Sequence, residues 1–257
     1  MEKLFPRVRE VVCKYRQLCN FESGGFSHGR PFVNTEVWNE GWMLRLIVAK
    51  LHDLKRVVGN EVAKDICAAS KVGWCSEGRL FPLFKGERST RADGIVGNIV
   101  LRNEKKWGFE LDRNCPRPRI VALEAKMNSA LSKGVKAADD FDQSARYLAC
   151  LSGLVSQMSN ANAALYVIVP DCKKSVVCPI LAQGKKRLRD EIEKMAKGHE
   201  LRAGLDAGKI GDALGSVVAK IVTWDELIGA IPDVDPDKNF IRRFYTDAKT
   251  ANGVINI

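Results

Sequence analysis

Runs of consecutive apolar residues, separated by polar turns, predict buried β-strands in the middle of this chain. The clearest run is Ile-Val-Ala-Leu-Glu-Ala-Lys at residues 120–126, and a second run occupies residues 163–170. Continuous apolar runs of this length are typical of strands that are covered on both faces. Two more strand-like stretches precede them, at residues 93–101 and 107–111, with a polar turn in between. The pattern predicts a β-meander over residues 93–126 and a further strand after it.

Helical spacing of apolar positions predicts helices on both sides of the meander. Upstream, Asn34 and Thr35 are candidate N-caps for a helix at residues 36–51. Glu40 lies one turn before Leu44 on the inward stripe of this helix. The other predicted elements are helices at residues 7–18, 139–151, 185–197 and 240–245, a strand at residues 217–222, and a short helix capped by Thr223 and Glu226. Together these elements predict an α/β fold with a central mixed β-sheet flanked by helices.

The strand at residues 120–126 ends on a carboxylate and an amine. Glu124 and Lys126 are two residues apart, so their side chains project from the same face of the strand. Asp93 stands at the mouth of the apolar stretch that precedes the polar turn. If these two strands are neighbours, Asp93 and Glu124 meet at one end of the sheet. Two oxygen ligands from adjacent strands, with water completing the coordination, suit Mg²⁺ or Mn²⁺.

The order of strand, strand, Glu-x-Lys strand, helix and strand resembles that of the PD-(D/E)XK nuclease superfamily. Asp93 and the triplet Glu124-Ala125-Lys126 match the superfamily motif. The resemblance covers roughly residues 34–170, more than half of the chain. It implies a restriction-endonuclease-like core, which consists of a helix, a three-strand meander, a second helix and a fourth strand.

Two further features bear on the match to the superfamily motif, one that adds to it and one that departs from it. Gln143 and Tyr147 have the spacing of the QxxxY element of RecB-type members, and they share a helix face because they are four residues apart. The resemblance implies that they contact substrate or orient groups beside the metal. The chain departs from the motif at Ala92, where the superfamily's name has a proline. Asp112 is the alternative to Asp93 for the first acid.

The resemblance also implies a role for each residue of the motif. Asp93 and Glu124 are expected to bind Mg²⁺ or Mn²⁺, assisted by the main-chain carbonyl of Ala125. Glu40 is the expected additional ligand, and a capping or partly exposed glutamate is the alternative for it. Lys126 is expected to orient the attacking water or to stabilise charge in the transition state.

Length and composition agree with one globular domain. The chain has 257 residues, of which 46% are apolar. We predict a single nuclease domain over residues 1–257, with an N-terminal helix in residues 1–30 and additional elements in residues 171–257. No stretch approaches the ~20 apolar residues of a membrane span. The eight cysteines have no CxxC spacing, which predicts reduced thiols in a cytoplasmic protein.

The formal net charge of +10 predicts a polyanionic partner. A basic cluster at residues 185–189 shares its helix with Asp190, Glu191 and Glu193, so the sequence favours a solvated face for it. Three widely separated histidines argue against a His-based nuclease or a Ser/His hydrolase.

These observations predict a metal-dependent nuclease that hydrolyses phosphodiester bonds. DNA is the expected substrate, while RNA, the number of strands, and endo or exo action stay open, and a homodimer is allowed. The alternative is a catalytically inactive nucleic-acid-binding or scaffold protein that retains the nuclease fold. A structural α/β domain with a chance Glu-x-Lys triplet is the third reading.

Overall fold

The computed structural model resolves the chain into seven strands and eight helices over the residues that it describes. The described residues are 3–19, 38–83, 90–101, 109–129, 131, 142–158, 160–195, 201–202 and 204–254. The strands are β1 (Trp74–Leu80), β2 (Thr90–Gly97), β3 (Ile99–Leu101), β4 (Phe109–Leu111), β5 (Arg119–Ala125), β6 (Asn162–Val169) and β7 (Val218–Thr223). The helices are α1 (Phe5–Cys19), α2 (Glu40–Asp53), α3 (Glu61–Ser70), α4 (Gln143–Val155), α5 (Lys174–Met195), α6 (Ala207–Ser216), α7 (Trp224–Gly229) and α8 (Lys238–Ala251).

Five strands form one mixed sheet in the order β1-β2-β5-β6-β7. β1, β2 and β5 are antiparallel neighbours, whereas β6 is parallel to β5 and β7 is parallel to β6. Parallel neighbours require a crossover connection. α4 lies in the connection between β5 and β6, and α5 and α6 lie in the connection between β6 and β7. The predicted α/β class, with a mixed sheet flanked by helices, is confirmed.

Helices cover both faces of the sheet, and for this reason its central strands are apolar along their whole length. Every residue of β5 after Arg119 and every residue of β6 after Asn162 is buried. α1, α2, α3, α7 and α8 pack on one face around residues such as Met43 and Trp224. α4, α5 and α6 pack on the other face around residues such as Tyr147. Both ends of the chain therefore contribute to the core.

The predicted meander is wrong in its middle strand. The main chain leaves the sheet at Gly97, where φ is +133° and a Cβ atom would lie 2.0 Å from the carbonyl oxygen of Arg119. Only glycine fits so close an approach. Asn98 fixes the turn, because its side-chain oxygen accepts the N–H of Arg119 at 2.9 Å. β3 then pairs with β4 outside the main sheet, and β1 supplies the third antiparallel strand instead.

The helix before the meander begins later than predicted. α2 starts at Glu40, because the side chain of Asn39 accepts the N–H of Trp42 at 3.0 Å and so caps the helix. Asn34 and Thr35, the predicted caps, lie outside the described residues. The predicted inward stripe is confirmed, since every apolar position on it is buried.

The helix after the meander starts at Gln143. Asp142 caps it by accepting the N–H of Ala145 at 3.0 Å, while residues 139–141 lie outside the described part. The strand predicted at residues 217–222 is confirmed as β7, and the capping box at the start of α7 is confirmed as well. α5 and α8 are both longer than predicted. In the described ranges, no helix has the length and apolar character needed to cross a bilayer.

Candidate active site

Asp93 and Glu124 meet where β2 and β5 run side by side. The register pairs Gly94 with Leu123, so Asp93 is the next residue along β2 and lies beside Glu124. Directly opposed residues of antiparallel strands share a face of the sheet. Asp93 Oδ2 also accepts the main-chain N–H of Ala125 at 2.7 Å, which fixes the carboxylate against the end of β5. The strands that carry Asp93 and Glu124 are therefore neighbours, which was the condition for the two acids to meet.

Asp112, the alternative acid, lies at the other end of β5. It follows β4, and its N–H donates to the carbonyl of Asn98, whose own N–H donates to the carbonyl of Arg119. Arg119 begins β5, and Glu124 lies five positions further along the strand, a distance of roughly 16 Å. Asp112 accepts the N–H of Asn114 in a local turn. The geometry thus brings Asp93 to Glu124 and keeps Asp112 away.

Glu124 is completely buried and is surrounded by polar partners. Its Oε1 lies 2.6 Å from the Lys126 Nζ atom, and its Oε2 accepts the hydroxyl proton of Tyr147. The Lys126 contact has the distance of an ion pair but not the angles of a hydrogen bond. Oε1 therefore has no hydrogen-bond partner among the described residues. A buried carboxylate oxygen in this state can accept a further ligand.

Tyr147 connects α4 to both strands of the site. Its hydroxyl group contacts Glu124 and the main-chain carbonyl of Arg91, and it accepts a hydrogen bond from Gln143 Nε2 at 3.2 Å. A phenol has one proton, so it can donate to only one of the two oxygens at a time. Gln143 and Tyr147 share a helix face, as their spacing predicted, and this face points toward Glu124.

Burial and mutual repulsion decide the protonation of the two acids. Burial, followed by the negative charge of Asp93, raises the pKa of Glu124 to about 7, although the Lys126 ammonium acts in the opposite direction. Burial also raises the pKa of Asp93; the N–H of Ala125 and the charge of Lys126 oppose this, while the charge of Glu40 adds to it. Two neighbouring acids with raised pKa values are a common feature of functional sites.

Lys126 and Tyr147 respond to the same charges. Burial is the largest single effect and lowers the pKa of Lys126, but the contact with Glu124 and the charges of Asp93 and Glu40 together raise it above its ordinary value. Burial and the neighbouring charge of Glu124 raise the pKa of Tyr147 well above its usual range. The site therefore contains an ammonium group and a neutral phenol beside two acids.

The main chain of Lys126 is held by contacts that the sequence analysis missed. Trp224, the first residue of α7, donates its indole N–H to the Lys126 carbonyl at 3.0 Å. The Lys126 N–H donates to the carbonyl of Ile168 at 2.8 Å. Trp224 is about one hundred residues downstream of Lys126. No local sequence pattern indicates a contact over this separation.

The donor set fits a small divalent cation that keeps several waters. Asp93 and Glu124 supply two carboxylates, and Glu124 Oε1 accepts no hydrogen bond, its contact being the ion pair with Lys126. Glu40 stands at the start of α2 and acts on Asp93 through its charge. No three His, Cys, Asp or Glu residues are grouped as a metal site within the described ranges. Glu40 as a third ligand stays a prediction.

Six of the seven predicted site residues form one connected cluster. The exception is Glu40, which acts on the cluster through its charge. The cluster combines acids able to hold a cation, an ammonium group, and a phenol that orients one acid. The chain matches no protein-family model, and searches of curated proteins and of solved structures found no match.

Proposed function

We propose that this chain is a metal-dependent nuclease that hydrolyses phosphodiester bonds, with DNA as the expected substrate. The observation that carries the proposal is the meeting of Asp93, Glu124 and Lys126 at one end of the sheet, with Glu124 fully buried. A buried ion pair is a weak source of stability. Two adjacent acids and an amine at such a position are better explained by function than by packing.

The order of elements supports a restriction-endonuclease-like core. A helical segment (α2 and α3) precedes three antiparallel strands (β1, β2 and β5), and these are followed by α4 and by β6. This is the succession of helix, three-strand meander, helix and fourth strand that the resemblance implies. The hairpin of β3 and β4 is an insertion between the second and third strands of this succession.

Asp93, Glu124 and the carbonyl of Ala125 would hold Mg²⁺ or Mn²⁺. When bound, the cation supplies a water of lowered pKa and neutralises charge that develops on the phosphate. Lys126 has three N–H donors, so it can pair with Glu124 and still donate to a phosphate oxygen. Its side chain is 13% exposed, which leaves a path to solvent. Its charge would stabilise the transition state.

Tyr147 and Gln143 act by positioning Glu124. The Tyr147 hydroxyl holds one carboxylate oxygen, and Gln143 holds the hydroxyl in turn. Both side chains come from the first turn and a half of α4, whose start is fixed by Asp142. Groups of this kind orient metal ligands in other proteins and affect metal affinity and activity.

The second candidate function is a catalytically inactive nucleic-acid-binding or scaffold protein. It is favoured by the enclosure of Glu124, which is fully buried and contacted by Lys126 and Tyr147. In this reading, Lys126 neutralises the acid, Tyr147 donates a hydrogen bond to it, and no cation binds. A cytoplasmic location and a homodimer stay predictions under both functions.

A cleavage assay separates the two functions. Purified protein is incubated with circular and linear, single- and double-stranded DNA in the presence of Mg²⁺, Mn²⁺ or EDTA. We expect cleavage with Mg²⁺ or Mn²⁺ and none with EDTA. Glu124→Gln and Lys126→Ala should each reduce the rate by roughly 10²-fold or more, because both remove charge from the transition-state environment.

Asp93→Asn and Asp112→Asn form a matched pair for the same assay. Asp93→Asn should reduce both activity and calorimetrically measured Mg²⁺ affinity, whereas Asp112→Asn should stay close to wild type. Absence of cleavage of every DNA by the wild-type chain, or full activity of Glu124→Gln, would reject the nuclease and favour the scaffold function.

A further inference from the structure

A groove of about 450 Å³ lies between α5 and the edge strand β7. Four basic side chains line it, Lys185, Lys186, Arg189 and Lys220, and its described lining contains no acid. None of the four forms an ion pair with a described carboxylate, and Lys185 instead donates to the carbonyl of Val217 at 2.9 Å. We call this cavity the basic groove.

Concentrated positive charge without counter-charge is costly to maintain. Burial and the neighbouring positive charge of Arg189 lower the pKa of Lys185, so these two cations repel each other. Asp190, which shares this helix with the basic cluster, is exposed and does not line the groove. The solvated-face interpretation of residues 185–189 therefore leaves the convergence with Lys220 unexplained.

The basic groove has a defined position relative to the candidate active site. Glu124 is level with Val167 on β6, and Val167 is level with Ile221 on β7, which lines the groove. Two strand spacings separate the backbones of Glu124 and Ile221, which is roughly 10 Å. β7 is also the last strand of the sheet, and no described strand pairs with its outer edge.

We propose that the basic groove binds the phosphate backbone of a polynucleotide strand and leads that strand to the site at Glu124. The identity of the polyanion rests on the proposed nuclease function. Charge complementarity supports the occupant: lysine and arginine side chains along a groove follow successive phosphates and release their counterions on binding. Contacts of this kind fix the path of the strand and carry no sequence information.

A salt titration of binding tests the inference without cleavage. Anisotropy of a labelled 20-nucleotide single strand, and of a duplex of the same sequence, is measured in EDTA between 50 and 400 mM salt. The groove variant is Lys186→Gln/Arg189→Gln/Lys220→Gln, in which all three side chains are exposed and the fold is expected to persist. The control variant, Lys55→Gln/Arg56→Gln/Arg243→Gln, removes the same charge from exposed positions elsewhere.

We expect the groove variant to bind roughly 100-fold more weakly near 0.1 M salt. The slope of log K against log salt should fall by about 2, as for three lost phosphate contacts on a single strand. The control variant should keep the wild-type slope. Equal affinity and slope in the two variants would overturn the inference, because the effect would then follow net charge alone. The single variant Lys186→Glu repeats the test if the triple variant melts early.

Competition by polyglutamate distinguishes a nucleic acid from an acidic protein segment. If polyglutamate of equal charge displaces the labelled strand as effectively as unlabelled oligonucleotide does, the groove is a general acidic-partner site and the inference fails. Failure of the nuclease proposal is recognised separately. A wild-type chain that cleaves nothing, but loses binding in the groove variant, retains the groove and rejects the catalytic function.

Discussion

The hydroxyl group of Tyr147 is the contact that orients the buried carboxylate of the site. Tyr147→Phe removes the hydrogen bond to Glu124 and leaves the ring in its apolar surroundings. We expect cleavage to fall about 10- to 100-fold, as for lost groups that orient metal ligands. The free energy of unfolding should fall by only about 1 kcal/mol, the net value of one hydrogen bond. Single-turnover cleavage and urea unfolding measure the two effects.

Gln143→Ala is the companion variant, because Gln143 donates to the Tyr147 hydroxyl, which in turn contacts Glu124. Its effect on cleavage should be smaller than that of Tyr147→Phe, with little change in melting temperature. If the double variant is no slower than Tyr147→Phe alone, the two residues act along one path. Wild-type rates in both single variants would assign the pair to packing and remove the RecB-type resemblance.

Protonation of Glu124 makes the stability of the metal-free chain depend on pH. Burial and the charge of Asp93 raise its pKa from 4.5 to about 7 in the folded state. The folded chain thus holds this proton more tightly than the unfolded chain. The resulting stabilisation is complete below pH 4.5 and is lost as the pH rises to about 7.

Glu124→Gln removes this titration. In EDTA, we expect the variant to be more stable than wild type at pH 8, by roughly 1–3 kcal/mol, and the difference to shrink toward pH 4.5. Urea unfolding of both proteins at four or five pH values measures it. A difference that does not change with pH would mean that Glu124 stays ionised throughout this range.

The helix α3 is attached to the sheet by a polar cluster at the opposite end from the site. Asp65 accepts a hydrogen bond from Arg119 Nε at 2.7 Å, a second one from the same guanidinium, and one from the hydroxyl of Tyr166. Asp65→Ala leaves three donor groups on two side chains without their acceptor. Because Arg119 is about a third exposed, we expect a loss of roughly 2 kcal/mol rather than the larger cost of a fully buried pair.

Glu61→Ala is the matched control on the same helix. Glu61 pairs with Lys64 at 2.6 Å on the exposed surface, so its removal should cost at most about 0.5 kcal/mol. Cleavage per folded molecule should be unchanged in both variants, since Arg119 and Glu124 are at opposite ends of β5. An equal loss of stability in the two variants would show that the cluster does not hold α3 in place.

Strands with a strong apolar pattern were predictable from the sequence. Which strands pair with each other in the sheet was only partly predictable. β5 and β6 are apolar runs that are typical of buried strands, and β7 is a shorter, mainly apolar stretch that contains Lys220; the structure confirms each one as a strand. β1, in contrast, has the sequence Trp-Cys-Ser-Glu-Gly-Arg-Leu and was not predicted. Its exposed and intermediate positions follow from its place at the edge of the sheet, where apolar patterning is weak.

The misplaced meander has a local cause that periodicity does not reveal. Residues 94–101 are apolar or glycine except for Asn98, yet one glycine turns the main chain out of the sheet. Gly97 can do so because it has no side chain to meet Arg119. A glycine inside an apolar run is a recognised sign of a bulge or bend. The break between β2 and β3 could therefore have been predicted from Gly97.

The candidate site was predictable in its local parts and not in its distant ones. The i, i+2 spacing on a strand and the i, i+4 spacing on a helix place Glu124 with Lys126 and Gln143 with Tyr147. The choice of Asp93 over Asp112 needed the register of β2 against β5. The contact of Trp224 with the Lys126 carbonyl joins segments that only the complete fold brings together.

The ends of the chain are integral to the layers around the sheet. At the start of α1, the N–H groups of Leu4 and Phe5 donate to the Asp53 carboxylate of α2 at 2.8 and 2.7 Å. Lys50 of α2 is buried and lies 2.6 Å from Asp235, which precedes α8. Residues 171–254 add β7 and a large share of the apolar side chains on both faces. Residues 34–170, the core that the resemblance implies, therefore lack many of the side chains that cover both faces of the sheet.

We expect a fragment of residues 34–170 to have no cooperative thermal transition. It loses wholly buried side chains on both faces, among them Trp224, Ile231 and Leu214. Each large apolar side chain that is fully buried contributes about 1.5–3 kcal/mol. Five such losses are therefore as large as the net stability of about 5–15 kcal/mol that a domain has in total. Circular dichroism and scanning calorimetry against the full chain measure the transition.

A second fragment, residues 20–257, makes the comparison informative. It lacks α1, which contributes Phe5 and Val12 to one face, and it retains the whole sheet and every other helix. We expect it to melt cooperatively at a lower temperature than the full chain, because it loses a few kcal/mol of apolar burial. A cooperative transition in the 34–170 fragment as well would show that β6 can end the sheet without β7. The segment after residue 170 would then be an addition to an independent core.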